Sequence, residues 1–325
     1  MNILIFGGTG FVGINIASAL LARRHTVTLF DRGALPRAAV QAFASFGSAL
    51  DVVEADITDS HAVEAAIARG YDAIILGAAI TAGPAREAAD PQSILHVNLM
   101  AQVPVLMAAH RHRVGRVINL SSGSALGAAA FRHTLLDEET PCEPGSLYAI
   151  TKLASERVAA RLADLWQAEF LSARLSSVFG PWERLKGVRD TPSPQMQLVA
   201  ALQQKKAAVL PRPGVRDWIY ASDVADAVAV LIEAPKPKHG LYNISTGSEW
   251  TALQWGQYLA DLNPGFICRL ATPGEAPTVD LYSKADRAPL SIARMADEFG
   301  WRARYGCADS AADLTEWLIR HGEGM

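Results

Sequence analysis

Hydrophobic and polar positions along the first half of the chain separate short β-rich runs from longer, alanine-rich stretches. Apolar runs at 3–6 and 26–30 flank a stretch at 11–24 that predicts a helix. Runs at 50–54, 73–76, 116–120 and 170–175 predict further buried strands, with helices at 60–69, 91–113 and 147–168 between them. Pro104 is expected to kink the second of these helices. Strands alternating with helices imply right-handed βαβ units and a parallel sheet.

The alternation breaks at 180–194, a stretch rich in Pro, Gly and charge that predicts a long loop or a crossing between domains. Beyond it the pattern predicts a helix near 195–205, a strand near 207–210, a helix at 222–233 and a strand at 241–244. From about 250, helical segments are separated by Asn263-Pro264-Gly265 and Thr272-Pro273-Gly274. The expected architecture is α/β, a doubly wound parallel sheet of the Rossmann type. Residues 1–176 plus about 216–248 would form this dinucleotide-binding domain, and about 177–215 plus 249–325 a smaller, discontinuous α+β substrate domain.

The 325 residues are half hydrophobic, enough for about two structural units and against disorder. Thirty Lys and Arg balance thirty-three Asp and Glu with no long block of either sign, which excludes a broad nucleic-acid footprint. Cys142, Cys268 and Cys307 lie far apart without a C-x-x-C, so neither a disulfide framework nor a metal site is expected. The apolar run at the start is too short for a signal peptide or a membrane span, and the expectation is a cytoplasmic protein with no membrane partner.

Directly after the first strand, Gly7-Gly8-Thr9-Gly10-Phe11-Val12-Gly13 sets glycines at 7, 10 and 13 where a strand turns into a helix. Glycines there permit a tight turn, close backbone approach to a pyrophosphate and close helix packing, while N–H groups at the helix start face the anion. Asp31 ends the second strand, where a carboxylate would bind the adenosine ribose hydroxyls and repel a 2′-phosphate, arguing for NAD over NADP. Arg32 beside it could accommodate that phosphate instead. Asp56-Ile57 follows the third strand, either meeting the adenine or starting a turn before a helix N-cap at Thr58 or Ser60. Ala78 and Ala79 end the fourth strand with small side chains that would let a dinucleotide lie close.

Tyr148 and Lys152 stand four apart on a predicted helix, hence on one face. A nearby cation favours a phenolate, which makes the pair apt for taking a proton from an alcohol. Asn119-Leu120-Ser121-Ser122-Gly123-Ser124 lies at the carboxyl end of the fifth strand, where ligands of open α/β sheets bind. A serine hydroxyl there can orient a substrate oxygen. No G-x-S-x-G elbow surrounds it, which argues against a hydrolase nucleophile.

Taken together, these residues resemble the extended short-chain dehydrogenase/reductases, the NAD-dependent epimerase/dehydratase group, over nearly the whole chain. The matching segments run in order: GGTGFVG at 7–13, Asp31, Asp56-Ile57, Ala78-Ala79, Asn98 in HVNLMAQ, SSGSALG at 121–127, YAITK at 148–152, ARLSSVFGPW at 173–182, RDWIYASDVADAV at 216–228, YNISTG at 242–247 and FGWRARY at 299–305. The resemblance implies Tyr148 as general acid or base, Lys152 on the nicotinamide ribose and Ser122 on the reacting oxygen, with Ser124 the nearby alternative. It implies a supporting role for Asn98 beside the cofactor and a homodimer through the helices at 91–113 and 147–168.

Dehydratases of the group carry an acidic pair after the catalytic hydroxyl residue, and here Gly123 and Ser124 stand there. That leaves a C4-type epimerase of a nucleotide-sugar, with a dehydrogenase of a free sugar acid, polyol or small hydroxy acid as the alternative. A non-catalytic dinucleotide sensor is a second alternative. Arg216 resembles the arginine that binds a nucleotide-sugar pyrophosphate; otherwise it would pair with Asp217 or Asp223. Ser177 stands where nucleotide-sugar members have asparagine. Arg184, Lys186 and Arg189 could add anion contacts or form a solvated loop.

Overall fold

The computed structural model describes residues 1–185 and 190–321. The first half of the sheet is built from β1 (Asn2–Phe6), α1 (Phe11–Ala22), β2 (Thr26–Asp31), α2 (Arg37–Phe43), β3 (Leu50–Glu54), α3 (Ser60–Ile67) and β4 (Ala73–Leu76). The second half adds α4 (Pro84–Ala89), α5 (Pro91–Leu95), α6 (Gln102–Arg111), β5 (Arg116–Ser122), α7 (Leu147–Trp166) and β6 (Phe170–Leu175). After β7 (Val178–Phe179) come α8 (Pro194–Gln203), β8 (Ala208–Leu210), β9 (Val215–Arg216), β10 (Ile219–Tyr220), α9 (Ala221–Glu233) and β11 (Leu241–Ile244). The chain then runs through β12 (Trp250–Thr251), α10 (Ala252–Leu262), β13 (Cys268–Leu270), α11 (Ala293–Phe299) and α12 (Cys307–His321).

Seven of these strands form one parallel sheet in the order β3-β2-β1-β4-β5-β6-β11. Strand order reverses between β1 and β4, so the crevice at their carboxyl ends is the natural ligand site of this doubly wound sheet. Ile3, Leu4, Ile5 and Phe6 of β1 have no exposed surface, because helices cover both faces.

Three expectations need correcting. The strand at 50–54 is the sheet edge rather than a buried strand: Asp51, Val52 and Glu54 are exposed, and the two carboxylates suit an edge that must resist pairing. The helix expected at 91–113 is divided into α5, a π-helical turn at His96–Met100, and α6. Pro104 cannot donate to the Met100 carbonyl, so the irregularity falls one turn before the proline rather than at it. The N-cap of α3 is Asp59, whose carboxylate accepts from the N–H groups of His61 and Ala62.

The C-terminal region adds two small pairings that the pattern did not reveal, β8 with β13 and β9 with β12. One continuous apolar cluster runs from β1 through Phe179, Trp218 and Trp250 to Trp255 and Trp317, so this region shares a core with the sheet. The cleft opens between it and the carboxyl edge of β1, β4 and β5.

Candidate active site

A cavity of about 520 Å³ follows the carboxyl ends of the strands. Gly7 continues β1 with φ +78° and donates its N–H to Phe30 O at 2.9 Å. A Cβ on Gly7 would lie 2.6 Å from Ala78 N, and one on Gly13 would lie 2.3 Å from Gly7 O. Any side chain at either position would push apart backbone that must touch. Gly10 is the N-cap of α1, whose start is aimed into the cavity beside Phe11 and Val12.

Asp31 holds this loop: its carboxylate accepts from Thr9 N at 3.2 Å and Gly33 N at 3.4 Å while lining the cavity with Arg32. Asp56 also lines the cavity next to Ile57. It accepts from both Thr58 N and Thr58 Oγ1 at 2.8 Å, and the backbone bond above all holds its carboxyl below the usual range. Small side chains at Ala78 and Ala79 leave the opposite wall flat. The glycine cradle, a helix start and a carboxylate at the far end fit a dinucleotide.

The catalytic helix α7 begins at its N-cap Ser146, whose hydroxyl accepts from Ala149 N at 3.2 Å and sets Tyr148 and Lys152 on successive turns. Both line the cavity. Lys152 Nζ is buried, donates to Leu120 O at 2.8 Å and stands 5.7 Å from the centre of the Tyr148 ring. Burial pushes the Lys152 amine down to about 8, and the nearby Glu156 carboxylate opposes that shift. Ser122 ends β5 beside them. Its hydroxyl lies 3.0 Å from Ser124 Oγ and accepts from Ser124 N at 3.2 Å.

Of the residues expected at the site, Gly7, Gly10, Phe11, Val12, Gly13, Asp31, Arg32, Asp56, Ile57, Ala78, Ala79, Ser122, Ser124, Tyr148, Lys152, Ser177 and Arg216 all line this cavity. Asn98 does not. Fully buried, it accepts from Ile80 N at 2.7 Å and donates to Ile80 O at 3.0 Å and to Thr151 Oγ1 at 3.3 Å. It therefore clamps the chain after β4 onto α7, and its support of the cofactor site is indirect. Lys186 and Arg189 lie outside the described residues. Arg184 reaches the glycine loop, donating to Thr9 O at 3.4 Å.

Behind α7 lies a charged cluster that the sequence did not announce. Glu156 and Arg174 are buried and pair at 2.7 Å, and Glu156 also accepts from Ser121 Oγ. Glu156 stands four residues after Lys152, so carrying the Tyr148–Lys152 spacing on by one turn would have flagged it.

A second chamber of about 530 Å³ adjoins the first and shares Ser122, Ser124, Ser176, Ser177, Arg216 and Tyr282 with it. Arg216 pairs with neither Asp217 nor Asp223. Asp217 meets Arg287 at 2.8 Å, and Asp223 accepts from the backbone N–H groups of Arg304 and Tyr305. Arg216 instead donates to Ser177 Oγ at 3.1 Å, lies 5.1 Å from the Trp218 ring and keeps a buried Nε without a hydrogen-bond partner. Burial, with repulsion from Arg287, pushes it down to about 9. Such a guanidinium is poised for an anion.

Residues 3–245 match the model of the NAD dependent epimerase/dehydratase family. The chain belongs to that family. As a member it is an NAD-dependent enzyme, and Tyr148, Lys152 and the 7–13 loop all lie within the matched region. Among relatives of this chain, a dTDP-glucose 4,6-dehydratase of Streptomyces niveus is 26% identical, aligned over 98% of this chain and 92% of that protein. UDP-glucose 4-epimerase 3 of Oryza sativa subsp. japonica is also 26% identical, over 99% of this chain and 91% of its own. Among solved structures, the UDP-glucose 4-epimerase of Thermus thermophilus complexed with NAD superposes with a TM-score of 0.77 at 25% identity, covering 98% of this chain and 99% of that one.

Proposed function

We propose that this enzyme is a nucleotide-sugar epimerase of the C4 type. Arg216 carries the reading: a half-buried cation with a buried Nε and, among the described residues, no carboxylate partner, facing a chamber of about 530 Å³ next to the reacting hydroxyls, suits a diphosphate. Relatives whose names specify dTDP-glucose and UDP-glucose support the same substrate class. Elimination is disfavoured because Gly123 and Ser124 follow Ser122. Among the described residues the carboxylates lining the two chambers are Asp31 and Asp56 at the dinucleotide end and Glu143, which is exposed and paired with Arg132. None is placed to move a proton at a carbon beside the carbinol.

Bound NAD supplies a reversible acceptor for the hydrogen on the carbinol carbon. Gly7, Gly10 and Gly13 would hold its pyrophosphate, Asp31 its adenosine ribose and Lys152 its nicotinamide ribose. Ser122 orients the substrate hydroxyl. Tyr148 takes the hydroxyl proton and later returns it, and the Lys152 ammonium favours negative charge on the phenol oxygen while the proton is away. The second chamber leaves room for a ketone to turn and present its other face.

Ser177 favours a second reading, a dehydrogenase of a free sugar acid or polyol, because its hydroxyl is taken up by Arg216. The two are separated by incubating the protein and NAD with UDP- and dTDP-sugars and, separately, with sugar acids and polyols, following NADH absorbance and product chromatography. Isomer interconversion without NADH accumulation supports the epimerase; steady NADH release from a free acid replaces it with the dehydrogenase. We also infer that the exposed apolar stripe of α6 and α7 is a homodimer surface.

A further inference from the structure

The segment from 280 to 286 lines both chambers through Tyr282, and it is pinned on both sides of that residue. Upstream, Gln197 on α8 accepts from Asp280 N at 2.8 Å and donates to Asp280 O at 3.0 Å, and the Asp280 carboxylate accepts from Tyr282 N at 2.7 Å. Downstream, Arg212 donates to Ser283 O at 3.0 Å and Ala285 O at 3.1 Å and pairs with Asp286. Leu281, buried, packs on Gly214, two residues before Arg216. These ties hold Tyr282 at φ +55°, the left-handed region that a bulky side chain enters only at a cost. The strain places an aromatic ring, 45% exposed, on the wall of both chambers, close along the fold to the Arg216 strand. Gln197 Nε2 also donates to the Tyr282 hydroxyl at 3.4 Å and steadies the ring. A ring so exposed gains little in folding stability from this geometry, whereas a ring fixed beside an anion site offers a flat face to a planar ligand at little entropic cost.

We propose that Tyr282 is the stacking platform for the base of a nucleoside diphosphate whose phosphates lie on Arg216. This rests on the nucleotide-sugar reading and adds how the nucleoside end is recognised. Arg212 and Gln197 act as positioning residues, Arg212 holding the loop and Gln197 holding both the loop and the ring hydroxyl, neither of them the ligand.

The test is calorimetric binding of UDP, dTDP and inorganic pyrophosphate to the NAD-loaded enzyme and to Tyr282→Phe, Tyr282→Ala, Tyr282→Gly and Arg216→Gln. UDP or dTDP should bind the unaltered enzyme about tenfold or more tighter than pyrophosphate, as stacking on an aromatic ring allows. Tyr282→Ala and Tyr282→Gly should lose that margin while pyrophosphate binding stays unchanged, and Tyr282→Phe should keep it. Tyr282→Gly should also raise Tm by relieving the strained φ, a gain that a ring serving the fold would not give. Equal nucleotide affinity in Tyr282→Ala, or a parallel loss of pyrophosphate, overturns the stacking role; if Arg216→Gln still weakens UDP, the nucleotide-sugar reading stands without it. Absence of nucleoside diphosphate binding in the unaltered enzyme overturns both.

Discussion

Lys152 is an ammonium surrounded by protein, with the Leu120 carbonyl as its hydrogen-bond acceptor, and burial pushes it down to about 8. Below that pH the amine is the cation that Tyr148 and a ribose hydroxyl need; above it the amine is neutral and this support is lost. Accordingly kcat/KM should fall as pH rises through about 8, read from a pH–rate profile of the enzyme with a turned-over sugar nucleotide. A profile flat to about pH 10 would separate Lys152 from catalysis. Tyr148→Phe removes the proton carrier but no cofactor contact made by the glycine loop. Turnover should drop about 10²- to 10⁴-fold with NAD affinity intact in a fluorescence titration. Unchanged turnover would take Tyr148 out of its role. Asp31 presents its carboxylate both to Thr9 N and to the cavity. Asp31→Asn should raise NADP affinity relative to NAD by about tenfold, equivalent to about 1.4 kcal/mol of relieved repulsion; an unchanged ratio would mean the carboxylate serves the loop alone.

At the scale of elements, what fixes the site is how α7 lies on β5. Asn119 donates to Ser155 Oγ at 3.1 Å, Lys152 reaches Leu120 O, and Glu156 takes the Ser121 hydroxyl and the Arg174 guanidinium of β6. Three successive strand residues are thus tied to one helix face, which brings Ser122 and Tyr148 to the same cavity wall. Removing one partner of the buried pair leaves the other charge stranded, so Glu156→Ala should cost about 3–5 kcal/mol in urea unfolding. A loss within a few tenths of a kcal/mol would show that water reaches Arg174. The strands of the parallel sheet and the glycine loop were legible because period and spacing are local signals, as were Tyr148 and Lys152. The edge position of β3 was not, because its apolar count resembles that of a buried strand and only its neighbours decide exposure. Asn98 was read toward the cofactor on resemblance, but its orientation depends on the π-helical turn at His96–Met100; Pro104 announces an irregularity there, not its π form or the direction in which it turns Asn98. Arg287 and Tyr282 were missed for a related reason: they reach the cleft through loops whose path is set by Arg212 and Gln197, far away in sequence.

For the whole molecule, residues 91–111 pose a question that folding alone does not answer. By length and composition this stretch is apolar enough to cross a membrane, yet its inner side is buried on α3 and α7. The outer side leaves Met100 59% and Met107 45% exposed, and α7 beside it leaves Ile150 43% and Leu165 56% exposed. Residues 100 and 107 are two turns apart, and 150 and 165 fall on one side of α7, so each of the two helices carries its own exposed apolar row, and the two rows together are the stripe inferred above. A two-fold axis laying this stripe on that of a second copy would cover it with a self-complementary apolar surface, while the cleft at the sheet's carboxyl edge stays open. Light scattering should then give twice the 34.8 kDa of one chain. The double substitution Met107→Glu with Leu165→Glu should reduce the mass to one chain and leave NAD binding measurable, since neither residue lines the cavity. If the unaltered protein scatters as a monomer at micromolar concentration, the stripe is not a homodimer surface, and binding to anionic lipid vesicles would show whether it meets a membrane instead.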